Sequence, residues 1–401
     1  MKVGIKVVAA FIAALSAGTA SADDAINVKI GVLNDRSGTY ADLSGEGSVI
    51  AATMAVEDFT SQNKSLKIDI VSADHQNKPD IASNIARQWF DQSGVDMIID
   101  LPASSAALAV SELGKQKDKL VIVSAGGSSD LTGSKCNANT IHWTYDTWAL
   151  GHGTGSALVK QGYDSWYFVT ADYAFGHSLE RDTAASVKEA GGKVLGQVRH
   201  PFPGQDFSSY LLQAQSSGAK VIGLANAGGD TINAIKQASE FGITQGGQTL
   251  AGLLVFISDV HALGLQTAQG LVLTEAFYWD QNDSTREWSK RFADRFGGTM
   301  PTMAHAGVYS AVTHYLKSVS ALNSKTTADV VKFMKETPTD DVVLGKGKIR
   351  EDGRRVQDMY LFQVKKPEES KGPWDYYKLL ATIPAKEAFR PIEAGGCNLI
   401  K

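Results

Sequence analysis

Cysteine is almost absent from the 401 residues: there are two, Cys136 and Cys397, with no CxxC pair and no histidine beside either. That excludes a zinc ribbon or an iron–sulfur ligand set, which need clustered thiolates. In an oxidising compartment the two could close one long disulfide loop, worth on the order of 5 kcal/mol at most. Two free thiols are the alternative. The eight histidines are scattered, without HExxH spacing, so no metal site is expected. GxxxxGK[ST] and GxSxG are both missing, which leaves neither a phosphate loop nor a nucleophile elbow. No cofactor and no catalytic residue is expected. Basic residues are not in surplus, at 39 Lys and Arg against 43 Asp and Glu, and a nucleic acid partner is excluded on that ground.

Long apolar runs are also lacking. The N-terminal MKVGIKVVAAFIAALSAGTASA carries Lys2 and Lys6, a short apolar core from Val7 to Leu15, and Ala20-Ser21-Ala22. This pattern predicts a signal peptide over 1–22, a mature chain starting near Asp23, and a periplasmic location. A retained anchor is the alternative. Nothing later approaches the ~18 apolar residues of a membrane span. Removing Lys2 and Lys6 takes the formal charge from −4 to −6.

What is present is alternation. Short β-rich runs, NVKIGVL (27–33), LKIDIVS (66–72), VDMIID (95–100) and KLVIVS (119–124), are each followed by a helical stretch. A second series begins after IHWTYDT (141–147), with strands at 165–170, 192–200, 219–226 and 249–256. A strand at 271–279, three helices and a hairpin around Asp352-Gly353 follow. Repeated βα units imply an α/β fold of two doubly wound parallel-sheet lobes. The glycines at 151, 153 and 155 lie in a helical stretch and read as close packing against its sheet.

Open parallel sheets bind ligands beyond the carboxyl ends of their strands. The loops there are DRSGTYADLSG (35–45), ADHQNKPD (73–80), LPASSAA (101–107) and AGGSSD (125–130), then ADYAFGHS (171–178), ANAGGDT (225–231) and FISDVH (256–261). LPASS and AGGSS are small-residue turns with hydroxyls. Together they could hold one carboxylate on backbone N–H groups at helix N-termini. Helix capping by the serines is the competing reading. The candidate ligand residues are Tyr40, Ala103, Ser104, Ser105, Gly127, Ser128, Tyr145, Tyr173, Phe175, Asn226, Phe256 and Tyr278. The aromatics among them can wall an apolar pocket.

In order and spacing, IGVLNDRSGTYAD, DLPASSAALAV, VIVSAGGSSDLTG, VTADYAFG and GLANAGGD resemble the periplasmic Leu/Ile/Val-binding proteins, the type I solute receptors of ABC importers. The resemblance spans nearly the whole mature chain. It implies two lobes joined by a three-crossing hinge, 25–144 with 275–338 and 145–274 with 339–401. It also implies a monomer that delivers a small-molecule ligand to a membrane ABC permease with its cytoplasmic ATPase. By the resemblance Gly127 and Ser128 grip the ligand carboxylate, and Phe175 is the aromatic of the second lobe. The family's carboxylate-binding serine falls on Ala103, with Ser104 beside it. The acid that holds an amino acid's ammonium falls near Leu254, with Asp259 several residues on. An aromatic acid, a dicarboxylate or a small amide therefore competes with an α-amino acid. A ligand sensor, and an exported hydrolase using Ser128 or Ser129, are the other functional classes.

Overall fold

The structure, a computed structural model, describes Met1 and residues 25–400. Apart from Met1, the expected signal peptide lies outside the described residues. The first series runs β1 (Ile26–Asn34), α1 (Gly45–Gln62), β2 (Leu66–Asp74), α2 (Pro79–Asp91), β3 (Met97–Asp100), α3 (Ser104–Lys117), β4 (Leu120–Val123) and β5 (Thr140–His142). Its strands pair in parallel in the order β2-β1-β3-β4-β5. MIID and LVIV are buried at every position, as in strands covered on both faces.

The second series is α4 (Thr147–Lys160), β6 (Ser165–Ala171), α5 (Ala174–Glu189), β7 (Lys193–His200), α6 (Ser208–Ser216), β8 (Val221–Ala225), α7 (Gly229–Glu240) and β9 (Thr249–Gly252). These strands are parallel in the order β7-β6-β8-β9. Side chains at Gly151 and Gly153 of α4 would collide with Thr183 of α5 and Thr274, so those glycines do serve close packing. The strand expected over 249–256 stops at Gly252, because Leu253 to Phe256 leave the ladder.

Short helices α8 (Ile257–Leu263) and α9 (Leu265–Ala268) lead to β10 (Val272–Glu275). Helices α10 (Asp283–Arg295), α11 (Met303–Leu322) and α12 (Thr327–Glu336) return to the first sheet, where α11 packs on α1 and β3. The expected hairpin is a two-residue pair, β11 (Lys348–Ile349) with β12 (Arg355–Val356). β13 (Met359–Val364) and β14 (Tyr377–Ile383) join β10 in an antiparallel sheet, and α13 (Ala385–Ala388) follows. β14 had no sequence signal: five of its seven residues are exposed without alternation.

Residues 339–401 do not all side with the second lobe. The β11–β12 pair packs on α12, and β12 bridges to β5 through Arg354 and His142. The tail returns to the first lobe, where Cys397 is disulfide-bonded to Cys136 with Cα atoms 5.6 Å apart. Arg390 of the tail donates to the Ser129 carbonyl at 3.1 Å.

The crossing at Trp143–Asp146 is stitched from the third crossing. Arg354, fully buried, donates to the carbonyls of Trp143 at 2.5 Å and Tyr145 at 2.8 Å. Gln357 donates to the intervening Thr144 carbonyl at 2.5 Å. Phe389 lies 4.5 Å beneath the guanidinium. Burial pulls the Arg354 pKa down to about 9, opposed by Asp146. The Arg354→Met variant should lose about 3 kcal/mol in urea unfolding, since it strands three buried carbonyls, those of Trp143, Tyr145 and Arg355. A loss below ~1 kcal/mol would mean that the crossing does not depend on this clamp.

Candidate functional site

Each parallel sheet has one topological switch point, between β1 and β3 in the first and between β6 and β8 in the second. Loops leaving neighbouring strands there diverge to opposite faces and open a crevice. The two crevices face each other across a small cavity, with about 10 Å³ of free space left between the lobes. From the first lobe and its crossing come Tyr40, Leu43, Pro102, Ala125 and Tyr145. From the second come Tyr173, Phe175, Ala227, Leu254 and Phe256. None of these side chains is charged.

The first-lobe loops are fixed by two buried carboxylates. Asp35 accepts the amides of Gly38 at 2.9 Å and Tyr40 at 2.8 Å, and the Asn77 side chain. This folds DRSGTY back on itself and sets Tyr40 in place. Asp100 accepts from Asn34 at 3.0 Å, Ser44 at 2.8 Å and Ser124 at 3.2 Å. Burial pushes its carboxyl pKa up. Asp100 and Leu101 sit at φ 93° and 57°, a left-handed pair costing roughly 1–3 kcal/mol per residue. The turn that follows starts α3.

The Ser104 hydroxyl accepts the Ser128 amide at 3.1 Å, and the Ser128 hydroxyl accepts the Asp130 amide at 3.4 Å. The serines thus brace one turn against the other, and each keeps its own hydroxyl hydrogen. Ala103 gives α3 no side-chain cap, so first-turn amides remain open at the positive end of the helix. Ser105 is half-buried. Gly127 lies under the rings: a Cβ there would come within 2.8 Å of Phe175 and 3.1 Å of Tyr145. Ser129 turns away, donating to Asp182 at 2.6 Å.

The lobes touch directly at the cavity. Gly229 donates to the Thr39 carbonyl at 3.2 Å. Gly228, at φ 56°, lies where a Cβ would stand 2.4 Å from that carbonyl. The hydroxyls of Tyr40 and Tyr173 bond to each other.

Two of the residues expected here belong elsewhere. Tyr278 packs with Phe362 and Tyr377, and its hydroxyl donates to the Trp374 carbonyl at 3.2 Å. Asn226 is spent on His200 at 3.2 Å and Thr231 at 2.6 Å, and the adjacent Ala227 faces the cavity. Phe202 was missed. It stacks on Tyr173 with centroids 4.2 Å apart, from the loop after β7, a strand end whose HPFPG sequence was a usable signal. Neither acid near the second-lobe loops lines the cavity. Asp230 accepts the Gly204 amide at 3.0 Å, and Asp259 accepts the Phe256 amide at 2.9 Å. Burial pushes each carboxyl up to about 7.

A family model described as "Periplasmic binding protein" matches residues 27–372. The chain is similar to a periplasmic binding protein from Burkholderia mallei, at 51% identity and TM-score 0.91, covering 95% of this chain and 100% of that one. It is similar at 41% identity and TM-score 0.83 to a branched chain amino acid ABC transporter periplasmic ligand-binding protein from Burkholderia xenovorans LB400, over 93% and 100% of the two chains. "Leu/Ile/Val-binding protein homolog 6" of Brucella melitensis is 26% identical over 92% of this chain and 94% of its own. An R. palustris ABC transporter solute-binding protein, solved in complex with benzoate, shares the fold at 22% identity and TM-score 0.82, over 93% and 99%. The chain belongs to the periplasmic binding proteins, in the group that serves ABC transporters of the branched-chain amino acid type.

Proposed function

We propose that this protein captures a small aromatic acid between its lobes in the periplasm and delivers it to a membrane ABC permease and its cytoplasmic ATPase. The observation that carries the reading is the wall of the cavity. It has five aromatic rings, from Tyr40, Tyr145, Tyr173, Phe175 and Phe256, and no charged side chain. An α-amino acid would leave its ammonium buried without a carboxylate, at a cost of several kcal/mol. A flat ring is satisfied by such walls. The solute's carboxylate has the open amides of α3 and the free hydroxyl hydrogens of Ser104 and Ser128 to accept from. The benzoate complex of an R. palustris fold relative agrees with this class of ligand.

Capture requires no bond chemistry. A ligand that touches both lobes is bound more tightly when they are closed, and that difference shifts the population. The test strips carried-over ligand by unfolding and refolding, then compares melting with Leu, Ile, Val, benzoates, cinnamates and dicarboxylates. A ligand at 1,000 times its Kd adds about 4 kcal/mol, or several degrees. An aromatic acid should shift the transition and the amino acids should not. A shift with Leu, Ile or Val alone would overturn the reading.

Two further outcomes are expected. Gly127→Ala should weaken the bound acid by about tenfold or more in calorimetry, ~1.4 kcal/mol, by displacing Phe175 and Tyr145. Asp259→Asn keeps the acceptor for the Phe256 amide but cannot ionise. A carboxyl raised to about 7 in the fold binds its proton more tightly there than in the unfolded chain. Wild type therefore loses stability as pH rises from its unfolded value, ~3.9, through 7. The variant should gain on wild type between pH 5 and pH 8 in melting experiments. A difference independent of pH would show that Asp259 does not titrate in that range.

A further inference from the structure

Resting on the aromatic-acid reading, we propose that the paired hydroxyls of Tyr40 and Tyr173 read an uncharged oxygen on the ligand, which makes the preferred solute a hydroxylated aromatic acid. Both rings line the cavity, Tyr40 from the loop after β1 and Tyr173 from the loop after β6. Their hydroxyls are bonded to each other across the lobe junction. Two hydroxyls carry two hydrogens, and only one can lie between them. Neither oxygen has another partner among the described residues. Buried phenols ordinarily find one, so the pair presents an unspent donor and spare lone pairs at the cavity wall.

The pair is held in place. The Asp35 carboxylate fixes the Tyr40 backbone at 2.8 Å. Phe202 stacks on Tyr173 at 4.2 Å and lies 5.3 Å from Tyr40, centroid to centroid. The hydroxyls therefore cannot swing far to find another protein acceptor.

The group they read is neutral. No lysine or arginine lines the cavity, so a second anion there would have no counter-charge. Burial raises both phenol pKa values, Tyr40 and Tyr173 alike, which keeps them protonated as donors. A ligand hydroxyl fits best, because it can accept the free hydrogen and donate in return. One of the two tyrosines comes from each lobe, so the group is read in full only when the lobes close.

The test is calorimetric titration of stripped wild type, Tyr40→Phe and Tyr173→Phe with benzoate, 3- and 4-hydroxybenzoate, and 4-methylbenzoate. The methyl compound matches the hydroxyl in size but not in hydrogen bonding. Wild type should prefer one hydroxybenzoate to the methyl analogue by about tenfold or more, since unpaired buried hydroxyls reject the analogue that lacks the group. In both variants that ratio should fall to within about threefold of one. A merely structural loss would weaken every ligand alike and keep the ratio. The inference is overturned if either variant keeps the preference, or if wild type binds benzoate without any preference for a hydroxyl. The second result would leave the aromatic-acid reading standing. If wild type bound none of the four and no cinnamate either, both would fall.

Discussion

The carboxylate of Asp100 is the knot on which the first half of the cavity depends. It sits at the end of β3 and accepts from Asn34 at the end of β1, Ser44 at the start of α1 and Ser124 at the end of β4. Its own carbonyl takes the amides of Ser124 and Ala125. Three strand-end loops are thereby held at one buried point, where an unpaired carboxylate could not persist. The same residue and Leu101 are forced into left-handed backbone, which turns the chain sharply into α3. That turn leaves the first amides of α3 uncapped beside the cavity. Strain and unspent donors thus arise from one local geometry, as is common where a binding site is held ready.

The first crossing is clamped where it touches the site. Arg354 and Gln357 grip the three successive carbonyls of Trp143, Thr144 and Tyr145, and Tyr145 is also a wall of the cavity. The lobes also meet through the Thr39–Gly229 contact, the Tyr40–Tyr173 pair, and Ser129 and Asp130 of the first lobe bonded to Asp182 and Arg181 of α5. A ligand held between the lobes adds its own contacts to these.

The fold was largely legible because parallel strands announce themselves as buried apolar runs between helical stretches. β3 and β4 are four residues each and apolar but for Asp100. β14 was not legible, because an exposed edge strand has no face to pattern. At the site, the loops could be named from strand ends alone, and five of the proposed aromatics do meet at one cavity. Side-chain direction could not be read that way. Asn226 and Ala227 are neighbours, and only the small one faces the cavity. Tyr278 lies at a crossing, yet a crossing has two sides. Leu43, Pro102 and Ala125 carry no chemical signature, and only packing shows that they form the wall.

The Cys136–Cys397 bond joins the loop behind the Gly-Ser turn to a residue that follows every strand and helix of the described chain. Chains emerge N-terminus first and tend to fold in that order. The first lobe's ligand turn can therefore form early, but it cannot be sealed until the last elements are in place. The bond cannot close until the chain has been made through Cys397, so the pairing of Cys136 waits on the tail.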